Sequence, residues 1–185
     1  ISKYINKKNI IIVVGFQKER IMDLFPECTY VFNEDFENTN TSKSLLCALD
    51  TKKESDTIWM NGDIVFDYKI LDLLFNTKES CMLVNSLSVA EEEVKYTVKK
   101  DGTIKEVSKE IQNGMGEAVG INKIIKKYNS QFVEELRGCE NQDYFEKAIE
   151  KLIKKEVPIY PIDIKSSLCI EVDFKEDLEL INQKL

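Results

Sequence analysis

Two acidic segments stand at the ends of apolar runs. Trp59-Met60-Asn61-Gly62-Asp63-Ile64-Val65-Phe66 carries a strand-like run into Gly62-Asp63 and straight back into apolar residues. Cys169-Ile170-Glu171-Val172-Asp173-Phe174 repeats the arrangement ahead of a helical run. In open α/β sheets, ligands bind at the carboxyl ends of strands. A carboxylate there, after a glycine that lets the backbone turn closely, is placed to hold a hard cation such as Mg²⁺ through oxygen. Asp63 and Asp173 are therefore candidate metal ligands. Asn-Gly-Asp is also a good turn sequence, and local pattern alone leaves Asp173 open between ligand and ordinary strand-end acid. Glu176 and Asp177 read instead as first-turn acids at the positive end of a helix dipole.

What is missing narrows the chemistry further. The chain has no histidine, which excludes Ser-His-Asp and Cys-His mechanisms. The five cysteines, Cys28, Cys47, Cys81, Cys139 and Cys169, form no C-x-x-C pair and sit mostly in apolar stretches. They read as buried free thiols, as in a cytoplasmic protein. A reaction that needs positioning and metal electrostatics more than proton transfer fits this inventory.

The elements that must position these residues alternate between short β-like runs and amphipathic helical runs. Strands are expected at Asn9–Val14, Thr29–Asn33, Thr57–Met60, Cys81–Asn85, Pro158–Ile164 and Cys169–Val172. Helices are expected at Lys18–Leu24, Lys43–Leu49, Asp67–Phe75, Asp143–Lys155 and Lys175–Leu185. Val94–Val98 and Thr103–Val107 flank Asp101-Gly102, a strong hairpin signal. The pattern implies one α/β domain over residues 1–185 with a mostly parallel sheet and an inserted hairpin. Ile1–Lys8 reads as the last turns of a helix entered partway, so residues upstream are expected. No apolar run approaches the roughly 18 residues that span a bilayer. A net charge of −7 disfavours nucleic acid as a partner.

Taken in order, several segments carry a family likeness. These are Ile10–Val14 ending in Gly15-Phe16, Asn40-Thr41-Ser42-Lys43-Ser44-Leu45, Gly62-Asp63, the hairpin, Gly116-Glu117-Ala118-Val119-Gly120 and Glu171-Val172-Asp173. The chain resembles the bacterial nucleotidyltransferases related to phosphocholine cytidylyltransferases and sugar-1-phosphate nucleotidylyltransferases. The resemblance implies a Rossmann-like three-layer sandwich of the nucleotide-diphospho-sugar transferase type, here without its N-terminal strand and loop. It implies Asp63 and Asp173 as Mg²⁺ ligands and Lys109 as the cation on the acceptor phosphate. Gly62, Glu117 and Gly120 fall at substrate-lining positions, and Ser42 and Ser44 near the base and ribose. Without the resemblance, Lys109 reads as a solvated lysine, and Glu117 is open between a strand-edge acid and a site residue.

The reaction implied is transfer of a nucleoside monophosphate, CTP being the favoured donor, to a small phosphorylated acceptor. Phosphocholine, phosphoethanolamine, a phosphorylated amino acid and a phosphonate are the candidate acceptors, with cell-surface polysaccharide modification as the setting. Trp59, the only tryptophan, reads as core, leaving Tyr96, Tyr128 and Tyr144 as candidates for a cage around a quaternary ammonium. The resemblance also allows a homodimer. The family's opening glycine-rich loop has no match among the seven glycines. Two other readings stand beside this one: a sugar-1-phosphate nucleotidylyltransferase, and a non-catalytic binding module that has lost the phosphate loop.

Overall fold

The computed structural model describes residues 1–49, 55–87, 89 and 92–184. The central strand is β8 (Glu117–Ile124), against which β3 (Thr57–Met60), β5 (Cys81–Asn85) and β6 (Lys95–Val98) all run antiparallel. Strand β9 (Tyr160–Asp163) extends the sheet parallel to β5, and β7 (Ile104–Ser108) pairs antiparallel with β6. The six-stranded order is β7-β6-β8-β5-β9, with β3 also on β8. Four strands, β3, β5, β6 and β9, thus share one direction, as a mixed α/β sheet requires. Most ladders are nevertheless antiparallel, because the contrary strand β8 lies in the middle.

Side-chain alternation sets the layers. Successive strand residues point to opposite faces, so β5 sends Cys81 and Leu83 to one side and Met82 and Val84 to the other. The first face packs under α3 (Ile70–Asn76), where Ile70, Leu71 and Leu74 meet Cys81, Leu83, Ile121 and Ile164. The second packs under α2 (Thr41–Leu49), α4 (Lys126–Arg137) and α5 (Phe145–Lys154). There Phe132, Leu136, Phe145, Ala148 and Leu152 bury against Trp59, Met82, Val84 and Val107. Helices on both faces make the three-layer sandwich. Trp59 is a core residue, stacked on Phe132 with ring centroids 4.8 Å apart and edge-on to Phe145 at 5.8 Å.

Two smaller ladders complete the fold. Strands β1 (Ile11–Val14) and β2 (Thr29–Phe32) form a parallel pair followed respectively by α1 (Lys18–Leu24) and, further along, α2. Strands β4 (Ile64–Phe66) and β10 (Cys169–Glu171) form an antiparallel pair, and α6 (Lys175–Lys184) follows β10; Leu185, expected at its end, lies outside the described residues.

The expected hairpin is the β6/β7 pair. Gly102 takes φ +85° at its turn, and the Asp101 carboxylate accepts from both the backbone N–H and the hydroxyl of Thr103.

Three elements differ from expectation. Strand β4 is not among the expected strands, its residues reading only as an apolar return after Gly62-Asp63. Ile1–Ile5 is a turn and Lys7–Asn9 a short 3-10 segment rather than the end of an α-helix. The Asn6 side chain accepts from the Lys8 N–H, a local bond that competes with the helical ladder. Helix α4 has no counterpart among the expected elements, although Tyr128, Phe132, Val133 and Leu136 share one face at helical spacing. Among the described residues all five cysteines are free thiols, with Cys81 and Cys139 buried.

Helices α2 and α5 are tied at their starts. The Asn40 N–H donates to the Asn141 carbonyl at 2.7 Å, and the Phe145 N–H donates to the Thr41 hydroxyl oxygen at 3.1 Å. Thr41 therefore caps a neighbouring helix rather than its own. Thr41→Ala leaves that N–H without its partner and is expected to cost about 1 kcal/mol, read as a lower urea midpoint at unchanged slope.

Candidate functional site

The β4/β10 ladder assembles the site. Glu171 pairs with Ile64, and the Val172 N–H donates to the Asp63 carbonyl at 2.8 Å. This pairing lays the two acidic segments side by side. Asp63, Glu171 and Asp173 each offer a carboxylate oxygen, and the three oxygens lie within 4.8 Å of one another. Glu171 and Asp173, two residues apart along an extended segment, share a face. Burial first, then the Asp63 and Asp173 charges, push the Glu171 carboxyl above its ordinary range. Three hard oxygen donors that repel one another until a cation joins them are a donor set that fits Mg²⁺.

Asn61 braces this group. Its amide donates to the Glu171 carboxylate at 3.2 Å, and its backbone N–H donates to the Gly120 carbonyl at 3.1 Å. Gly120 sits at φ +71°, and a Cβ there would come within 2.9 Å of the Asn61 amide nitrogen. Glycine is required on both counts: its role is to let Asn61 pack close.

The carboxylates form one wall of a cavity of about 440 Å³. Asn40, Thr41, Asn61, Gly62, Gly120 and Lys109 line it, together with Glu92, Glu93 and the start of α5 at Tyr144, Phe145 and Glu146. The Lys109 ammonium lies over the Tyr144 ring, 4.7 Å from its centroid. Burial raises the Glu93 carboxyl, with Glu117 and Asp173 adding and Lys109 opposing. Burial likewise pushes the Glu146 carboxyl from 4.5 up to about 7, opposed by its own backbone N–H and by Lys109.

That shift has a definite sign. A carboxyl whose folded pKa exceeds its unfolded one holds its proton more tightly in the folded state. The resulting stability is fully present below about pH 4.5 and is lost as pH rises through about 7. Melting curves of the metal-free protein across this window should therefore show a fall that is shallower in Glu146→Gln. Equal slopes in the two proteins would refute the assignment.

Of the residues singled out in the sequence, Asp63, Asp173, Lys109, Gly62 and Gly120 meet at this cavity. Glu117 is not among its lining residues and accepts from the Asn85 amide at 3.4 Å. Ser42 is fully buried with its hydroxyl unpartnered among the described residues, and Ser44 accepts from the Asn33 amide at 3.1 Å; neither lines the cavity. Sequence reasoning passed over Glu171, Asn61, Glu93 and Glu146. For Glu171 the signal was present in its i, i+2 spacing from Asp173. Glu93 lies in a run of glutamates that reads as solvated surface, and Glu146 in a first helical turn that reads as a dipole acid.

No family model and no curated protein matches the chain. Solved structures do. A CTP:phosphocholine cytidylyltransferase from Streptococcus pneumoniae aligns over 99% of this chain and 81% of its own, with TM-score 0.75 at 16% identity. A putative glucose-1-phosphate thymidylyltransferase from Bacillus anthracis aligns over 99% and 78%, with TM-score 0.75 at 14% identity. An inositol-1-phosphate CTP transferase from T. maritima aligns over 90% and 71%, with TM-score 0.72 at 15% identity. At this identity the likeness speaks for architecture: the chain has the fold of these nucleotidyltransferases.

Proposed function

We propose that this protein is a Mg²⁺-dependent nucleotidyltransferase, with CTP as the favoured donor and a small phosphorylated molecule as acceptor. The observation that carries the reading is the convergence of Asp63, Glu171 and Asp173 on the wall of a strand-end cavity, within a fold shared with enzymes of that class.

The chemistry is one displacement. An oxygen of the acceptor phosphate forms a bond to the α-phosphorus of the triphosphate. The bond from that phosphorus to the bridging oxygen breaks, and its electron pair leaves with pyrophosphate. The attacking oxygen is already anionic, so no general base is required, which suits a chain without histidine. Asp63, Glu171 and Asp173 would hold the Mg²⁺, which screens the repulsion between two phosphates and favours in-line geometry. Asn61 keeps the Glu171 carboxylate aimed into that group. Lys109, the one cation among the described lining residues, balances charge on the acceptor phosphate. The tie between Thr41 and the first N–H of α5 holds together two of the segments that line the cavity.

Among the described residues no helix is long and apolar enough to cross a membrane. A cytoplasmic enzyme that supplies activated groups for surface polysaccharides is compatible with the reading.

The test is pyrophosphate release by the full reading frame with Mg²⁺, pairing CTP, UTP, GTP, dTTP and ATP with phosphorylated amines, phosphorylated amino acids and sugar 1-phosphates. Release with CTP and a phosphorylated amine or amino acid is expected. Release with a sugar 1-phosphate alone makes the protein a sugar-1-phosphate nucleotidylyltransferase. Silence across the panel favours a binding module.

A further inference from the structure

With Asp63, Glu171 and Asp173 assigned to a divalent cation, the cavity still presents the carboxylates of Glu92, Glu93 and Glu146. Among the described residues one lysine faces them. Within that same set, neither Glu93 nor Glu146 takes a hydrogen bond from another side chain or closes an ion pair, and burial holds both carboxyls above their ordinary range. Both substrates of the proposed reaction are anions, so a wall of further carboxylates is unfavourable unless one substrate also brings positive charge. Buried carboxylates are stabilised by a paired cation and penalised without one.

The exposed Tyr144 ring beside Glu146 already carries a cation on its face, the ammonium of Lys109 at 4.7 Å. The Lys109 ammonium also opposes the upward shifts of Glu93 and Glu146. This lysine therefore sits among groups that select a positive charge.

We infer that the acceptor is a phosphorylated primary amine, its ammonium held between Glu93 and Glu146 beside Tyr144 while Lys109 faces its phosphate. The inference rests on the nucleotidyl-transfer reading above and names the substrate class of that site. Two features separate a primary ammonium from its rivals. A quaternary ammonium has no N–H to give to carboxylates and is recognised by several aromatic faces. Among the described lining residues only Tyr144 offers a ring face, because Phe145 is buried edge-on to Trp59. A primary ammonium has three donors for the two carboxylates. A sugar 1-phosphate can give hydroxyl donors to such carboxylates but brings no positive charge to offset theirs.

The experiment uses phosphoethanolamine, phosphocholine and glucose 1-phosphate as probes, each with CTP and Mg²⁺. Binding is followed by calorimetry and turnover by pyrophosphate release, on the wild type, Glu93→Gln and Glu146→Gln. Phosphoethanolamine should bind roughly tenfold or more tightly than either rival, and each glutamine variant should weaken it by about tenfold, the range for a hydrogen bond to a charged group. The variants should leave CTP affinity unchanged and narrow the preference for phosphoethanolamine over phosphocholine, a ratio that a general loss of folding would not move. Preferred turnover of phosphocholine or glucose 1-phosphate overturns the amine assignment while nucleotidyl transfer stands. Tight, glutamate-dependent binding of phosphoethanolamine without pyrophosphate release keeps the ammonium site and overturns nucleotidyl transfer. Glutamine variants with unchanged selectivity, or no binding of phosphoethanolamine, overturn the inference.

Discussion

Asp63→Asn should abolish turnover and leave the fold in place. Asparagine keeps the shape of the side chain and removes its charge, so the exposed Asp63 position accommodates it without repacking. The loss falls on the cation. A metal at such a site supplies several kcal/mol of transition-state charge stabilisation, and about 4 kcal/mol corresponds to ~10³-fold in rate. Stability should move the other way, or not at all. Asp63 is the foremost neighbouring charge that raises the Glu171 carboxyl, so neutralising it relieves repulsion in the metal-free protein. The expected pattern is thus a weakened Mg²⁺ isotherm, a melting temperature equal to or above that of the wild type without metal, and a smaller rise on adding Mg²⁺. Turnover like that of the wild type would sink the metal assignment; a collapsed melting curve would mean that Asp63 serves the fold instead.

Phe132→Ala is expected to damage the fold more than any of the site substitutions. The ring is fully buried on α4 and stacks on Trp59, so truncation both removes transfer energy and opens a cavity. Such changes cost about 3–5 kcal/mol against a total stability of roughly 5–15 kcal/mol. The consequence reaches the site, because Trp59 also meets Phe145 edge-on, and Phe145 sits between the cavity residues Tyr144 and Glu146. Urea unfolding should show a large drop in midpoint, with Phe132→Leu losing much less. A drop under about 1 kcal/mol, close to the range of ordinary surface substitutions, would show that the second core is not organised around this ring.

The sequence made the scaffold readable where one local force dominated. Continuous Ile and Val at Ile11–Val14 could only be strand, and Asp101-Gly102 named its turn through the positive φ that glycine takes freely. Asp63 and Asp173 were visible because each closes an apolar run. What stayed hidden depended on pairing between distant segments. Ile64–Phe66 reads only as an apolar return after the turn until β10 lies beside it, and Glu171 joins the acidic group only through that register. Glu93 and Glu146 carry no local mark that separates a cavity wall from solvent. Ser42 shows the converse: a serine near a helix start invites a polar role, yet its neighbours enclose it completely.

The β4/β10 ladder also orders the site in time. Asn61 and Glu171 are 110 residues apart in the chain, and β10 is only three residues long. A growing polypeptide therefore lays down its core strands and helices well before it acquires two of the three clustered carboxylates. On the nucleotidyl-transfer reading proposed above, activity is withheld during synthesis until β10 emerges, and a product terminated before Glu171 keeps much of the hydrophobic core yet retains one of the three clustered carboxylates. The same short ladder is a natural first point of opening on heating, so cation affinity should fade at temperatures where the layers above and below the sheet still hold.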